Sequence, residues 1–203
     1  GGTSPYKVLH DTREAVDKLT AAKLDSRILP TSRLLALTQD AIDAAVRLGG
    51  ALPGIPTGFS ALDSLTGGLQ RTDFWIIGAR PSVGKSSAAI NLAHAVCSKG
   101  KSVLLFSLEM SAVQVGLRFR SMDAGVDLQR LRFGFINSGE EQALQDSNRR
   151  MGSWKLYVDD TPALTIDTIR AKAMTVKSNH GLDVLIVDYI GIMGGGSGGD
   201  PRA

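Results

Sequence analysis

One eight-residue stretch carries the residue types of a phosphate site: Ala79-Arg80-Pro81-Ser82-Val83-Gly84-Lys85-Ser86. An apolar run, residues 74–78 (FWIIG), precedes it, and an Ala-, Ile- and Leu-rich run, residues 86–98, follows. A small-residue loop ending in Lys-Ser between a predicted strand and a predicted helix suits phosphate binding, with Ala79 where the commoner pattern has glycine. Backbone N–H groups of the loop and the first helical turn converge on anionic oxygens, aided by the positive end of the helix dipole. Gly84 lets the backbone approach closely. Lys85 places a point charge against the β- and γ-phosphates, and the Ser86 hydroxyl offers a ligand to Mg²⁺. The expected nucleotide contacts are Ala79, Arg80, Pro81, Ser82, Val83, Gly84, Lys85, Ser86 and Ser87. The expected ligand is a nucleoside triphosphate with Mg²⁺.

A second motif supports the first. In residues 184–188 (VLIVD) an apolar strand delivers Asp188 at its C-terminal end, where ligands bind in open α/β sheets, so Asp188 is expected to hold the Mg²⁺ with Ser86, through water. Hydrolysis also requires a group that orients and deprotonates water. Glu109 emerges after the apolar run 103–107 at the same edge of the sheet, and position alone leaves it either water-activating or a plain surface glutamate. Asp159 and Asp160 also follow a strand, but Thr161-Pro162 behind them predicts turn or capping roles. His10, His94 and His180 do not fall in zinc-ligand spacing with Cys or carboxylates. Arg118, Arg120, Arg130 and Arg132 recur through one region and read as a solvated helix face or a DNA-facing patch.

These residues need a scaffold, and the pattern around them provides one. Strands are predicted at 74–78, 103–107, 155–158 and 184–187, with helices at 86–98, near 112–125 and from the N-cap Thr165 to 179. Short, nearly continuous apolar strands alternating with helices predict an α/β fold with a parallel sheet covered by helices on both faces. Upstream, residues 6–24 are weakly patterned. Residues 31–48 place Leu34, Leu35, Ala41, Ile42, Ala45 and Val46 on one helical stripe. That stripe packs either on its own domain or on a neighbouring subunit; periodicity does not separate the two. The expected organisation is a tail and linker at 1–30, a helix and connector at 31–56, an α/β nucleotide-binding core at 57–193 that stops where the sheet would continue, and a Gly-rich flexible tail at 194–203.

The totals set bounds. With 203 residues, 43% hydrophobic and 21% charged, the composition is globular and not disordered. A net charge of +3 does not argue nucleic-acid binding by itself. A single cysteine, Cys97, excludes an internal disulfide framework. With no apolar run long enough for a membrane span and no signal pattern, a cytoplasmic protein without membrane partners is expected.

Several segments together resemble the RecA-type motor domain of DnaB-family replicative DNA helicases. They are TGFSALD (57–63), TGGLQ (66–70), GARPSVGKS (78–86), FSLEMS (106–111), VDLQRLR (126–132), YVDDTP (157–162) and IVDY (186–189), in family order. The resemblance runs from about residue 28 to 193, and the pairing of Ala-Arg-Pro-Ser with Ser-Leu-Glu-Met is specific to it. It implies a RecA-like fold and an ATP-driven ring helicase that unwinds DNA by translocating on single-stranded DNA, with Glu109 and Lys85 catalytic. It further implies a homohexamer in the full-length protein, contacts with primase and a helicase loader, and a linker helix that docks on the adjacent subunit. The family's N-terminal domain, and everything after the Asp188 strand including the arginine finger, lie outside the sequence, so weak nucleotide binding and little turnover are expected of the chain alone. Another RecA-type ATPase, or a module that acts by docking on a helicase ring, are the competing readings.

Overall fold

A computed structural model describes residues 28–80 and 82–188. The weakly patterned segment 6–24, Pro81, Tyr189 and the Gly-rich tail 194–203 lie outside the described residues. The chain divides into two compact units, Gly1–Ala51 and Leu52–Ala203. In the first, helix α1 (Thr31–Arg47) has no buried residue. Leu34, Leu35, Ile42 and Val46 of its stripe are exposed.

The second unit opens with a backbone clasp. Gly54 N–H donates to the Gly67 carbonyl (2.8 Å), and Ile55 pairs with Leu69 in an antiparallel bridge. A Cβ on Gly54 would stand 2.7 Å from the Gly67 and Leu69 carbonyl oxygens, so only glycine permits this approach. Helix α2 (Ser60–Thr66) lies between the two halves of the clasp. It is fastened by Asp63, whose Oδ1 accepts from the Thr57 hydroxyl (2.7 Å) and N–H (2.9 Å).

Next come α3 (Lys85–Ser98), β1 (Val103–Ser107), α4 (Ala112–Ala124), α5 (Leu128–Phe133), α6 (Ser138–Met151), β2 (Leu156–Asp159), α7 (Ile166–His180) and β3 (Val184–Asp188). The three strands form an all-parallel sheet in the order β2-β1-β3. Central β1 is buried throughout. Its side chains alternate between faces, as strand geometry requires. Val103 and Leu105 join Ile90, Ala93, Val96, Val115 and Phe119 of α3 and α4 in one core. Leu104 and Phe106 join Ile169 in a second core, with Ala173 and Val176 packed against it from α7. Helices therefore cover both faces, as the α/β pattern predicts. Cys97 is fully buried in the first core, and burial pushes its thiol up to about 12.

One predicted strand is not formed. Residues 74–78 have no ladder partner among the described residues, and Phe74 and Ile76 are exposed. An apolar run becomes a strand only when a neighbour takes its N–H and C=O groups. Among the described residues β3 is an edge strand of the sheet, and its Leu185 is exposed. Trp75 is only half-buried, with its indole N–H 3.3 Å from the Asp73 carboxylate. The sequence pattern also passes over α2, α5 and α6.

Candidate nucleotide site at the edge of the sheet

Residues gather at the C-terminal ends of β1 and β3 because of the strand order. The chain leaves β1 for β2 on one side, through α4 to α6, and returns through α7 to β3 on the other side. The crevice of an open α/β sheet lies where neighbouring connections diverge in this way.

The loop ahead of α3 turns twice through the left-handed region, at Ser82 (φ 64°) and Gly84 (φ 108°). Gly84 is the N-cap of α3, and no side chain caps the helix. Its first intrahelical bond is Ala88 N–H to the Gly84 carbonyl (2.9 Å), the geometry of a helix start that presents backbone N–H groups to an anion. A Cβ on Gly84 would meet nothing within 4 Å, so its φ, not crowding within the chain, is what calls for glycine. Ala79, Arg80, Ser82 and Val83 are exposed, Lys85 and Ser86 half-buried, and Ser87 exposed.

Lys85 Nζ lies 3.3 Å from Asp188 Oδ1. This brings together two residues 103 positions apart, the end of β3 and the start of α3. Asp188 is buried, at 5% exposure. Its carbonyl accepts from Leu108 N–H (2.8 Å), extending the register in which Ser107 pairs with Asp188. Glu109, the next residue, is exposed in a bend between β1 and α4. The loop lysine, the buried Asp188 and the Glu109 bend thus share one edge of the sheet. Two surface clefts, of about 380 and 390 Å³, lie elsewhere: one beside Phe59 and His94, the other beside Tyr157 and Lys172. Among the described residues no group of three or more His, Cys, Asp or Glu could hold a metal ion.

Asp159 and Asp160 stand apart from this pairing. Asp159 Oδ1 accepts from Thr161 N–H (3.0 Å), closing the turn, while its other oxygen pairs with Lys172. Burial works to raise the Asp159 carboxyl, but Lys172 and Thr161 outweigh it and hold the group below its ordinary value. Asp160 Oδ2 accepts from Ala112 N–H (2.7 Å) at the start of α4. The arginines divide too. Arg130 pairs with Glu140 (2.8 Å), whereas Arg118 and Arg120 each bury an Nε without a hydrogen-bond partner among the described residues.

An ion network among the helices has no linear signature in the sequence. Asp123 of α4 receives Arg150 of α6 (2.8 Å) and lies 3.3 Å from His94 Nε2 of α3, whose ring meets Trp154 edge-on at 5.0 Å. Burial pushes the Asp123 carboxyl up, but the Ser147 hydroxyl, Arg150 and His94 together hold it below the usual carboxylate range. Such a group stabilises the fold above its unfolded-state value of ~3.9, and that contribution fades as pH falls through the lower folded value. Asp123→Asn is therefore expected to cost about 1–3 kcal/mol near neutrality. It should also lose stability less steeply than wild type on acidification below ~4. Urea unfolding across this range checks it; parallel curves for the two proteins would contradict the assignment.

The parallel sheet covered by helices on both faces is the fold of RecA-like ATPase domains. Residues 54–203 match the family model for the DnaB-like helicase C-terminal domain. The chain belongs to that family. It is 37% identical over 163 residues to the replicative DNA helicase DnaB of Geobacillus stearothermophilus, covering 80% of this chain and 36% of the relative. It is 34% identical over 197 residues to the replicative DNA helicase DnaC of Bacillus subtilis (strain 168), covering 96% and 43%. Among solved structures, one ATPase domain superposes with a TM-score of 0.75 at 25% identity, covering 85% of this chain and 61% of that one. A DnaB-like replicative helicase, solved in a study of its interactions with primase, superposes with a TM-score of 0.75 at 24% identity, covering 94% and 46%. The chain thus spans less than half the length of these curated relatives. Among the described residues no helix is long and apolar enough to cross a membrane.

Proposed function

We propose that the chain is the ATP-hydrolysing motor segment of a ring-shaped replicative DNA helicase that unwinds duplex DNA by translocating on a single strand. The observation that carries this reading is the meeting of Lys85 with buried Asp188, 3.3 Å apart, at the edge of the sheet where the Glu109 bend also lies. Residues 79–87 cradle the phosphates through backbone N–H groups and the start of α3. Lys85 leaves Asp188 to meet the β- and γ-phosphate oxygens. The donor set of Ser86 hydroxyl and Asp188 carboxylate, all oxygen and few in number, fits Mg²⁺, which takes its other ligands from phosphate and water. Bound there, Mg²⁺ would offset the negative charge on the transferring phosphoryl group. Glu109 orients the attacking water and takes its proton.

The relatives' names support DNA as the track and a role in replication. A homohexamer follows in this reading, with the exposed stripe of α1 docking on the next subunit and primase and a helicase loader as partners in the cytoplasm. The test is steady-state ATP hydrolysis by the assembled protein, with and without single-stranded DNA, alongside strand separation of a forked duplex. DNA-stimulated turnover and ATP-dependent unwinding are expected. Turnover indifferent to DNA, with no unwinding, would point instead to another RecA-type ATPase.

A further inference from the structure

The bend that carries Glu109 is only three residues long, Leu108 to Met110, between the last residue of β1 and the N-cap Ser111 of α4. Glu109 itself is exposed, yet the backbone on either side of it is held at four points. On entry, Leu108 N–H donates to the Asp188 carbonyl (2.8 Å). Across the bend, the Ser107 hydroxyl donates to the Met110 carbonyl (2.7 Å). On exit, Ser111 and Gln114 form a reciprocal capping box, and Asp160 Oδ2 accepts from Ala112 N–H (2.7 Å). A hydroxyl at Ser107 is otherwise out of place. It is 2% exposed and ends a strand whose other residues, VLLF, are all apolar. Asp160 reaches Ala112 from the end of β2, on the far side of β1 from β3. Its negative charge sits at the favourable end of the α4 dipole.

We infer that Ser107 and Asp160 are positioning residues for Glu109: they fix the bend between the ends of β2 and β3, so that an exposed carboxylate keeps one place relative to Asp188. The inference rests on the proposed reading of Glu109 as the water-activating group. General-base catalysis depends on placement, and a misplacement of ~1 Å can cost on the order of 10²-fold in rate. A purely structural role would act differently. It would lower the folded fraction, and nucleotide affinity and turnover would fall together.

The experiment measures kcat, KM, affinity for a slowly hydrolysed fluorescent ATP analogue, and melting temperature in the assembled protein with single-stranded DNA. The variants are Ser107→Ala, Asp160→Ala, Asp160→Asn and Glu109→Gln. Ser107→Ala and Asp160→Ala are expected to lower kcat by roughly 10-fold to 100-fold with KM and analogue affinity unchanged. Asp160→Asn, whose amide oxygen still accepts from Ala112, recovers most of the rate. Wild-type kcat in either alanine variant removes that residue from the assignment. A fall in kcat matched by a fall in affinity and melting temperature overturns the positioning role. Full turnover in Glu109→Gln would refute the reading of Glu109 itself, whereas an inactive Glu109→Gln beside fully active Ser107→Ala and Asp160→Ala refutes the inference alone.

Discussion

Lys85→Ala is expected to lower affinity for ATP·Mg²⁺ by roughly 10²- to 10³-fold. The size of the effect follows from removing one positive charge from among phosphate oxygens. Two unit charges at ~4 Å interact by about 4 kcal/mol at the effective dielectric typical of a protein surface, and each ~1.4 kcal/mol is tenfold in affinity. Lys85 is half-buried at the first position of α3. The substitution has a second consequence. Asp188 is 5% exposed and loses the ammonium 3.3 Å away, leaving a buried carboxylate without its cation. The nucleotide-free variant should therefore also be less stable than wild type. Titration with a fluorescent ATP analogue, paired with urea unfolding, reads both effects. Affinity equal to wild type would remove Lys85 from the phosphate site.

Glu109→Gln should separate binding from chemistry. The amide keeps the shape of the side chain but cannot take a proton from water, and general-base catalysis contributes typically about 10²- to 10⁴-fold. Glu109 is exposed and forms no core contact, so folding and nucleotide affinity should be retained. Single-turnover hydrolysis of labelled ATP by the assembled protein gives the rate directly. The expected result is analogue binding like wild type with turnover reduced by roughly 10²-fold or more. Wild-type turnover would mean that another group activates the water.

Both predictions start from residues legible in the sequence, because the loop and the Asp188 strand each announce themselves by residue type. Strand β1 is legible to the residue, since VLLFS is apolar and central, with cores on both faces. The Thr165 cap is legible as well, and its hydroxyl accepts from Thr168 N–H. Residues 74–78 look the same to a pattern reader as β1. Pairing, not apolarity, separates them, and pairing is a property of the whole sheet. Helix α6 escapes for the opposite reason. Leu144 and Ser147 are its only buried residues, too few to mark a face, and its one local sign is the capping box from Asn137 to Glu140.

In the site, the pairing of Lys85 with Asp188 follows from the two motifs and the topology. The ties around Glu109 do not. Ser107 to Met110 depends on the path of a bend, Leu108 to Asp188 on strand register, and Asp160 to Ala112 on a contact between residues 48 positions apart. Asp160 reads in the sequence as a turn or capping residue, and it does cap a helix. Which helix, and that this helix follows Glu109, emerges only from the fold. The same holds for His94, Asp123 and Arg150, which converge from three helices.

In the proposed function, the loop and Asp188 form one site that recognises the phosphates of ATP together with Mg²⁺. Calorimetric titration of the protein with ATP analogue, ADP and adenosine, each with and without Mg²⁺, tests it most directly. Affinity should fall in that order, and removing Mg²⁺ should weaken the triphosphate most. Equal affinity for adenosine and the triphosphate, indifferent to Mg²⁺, would contradict it.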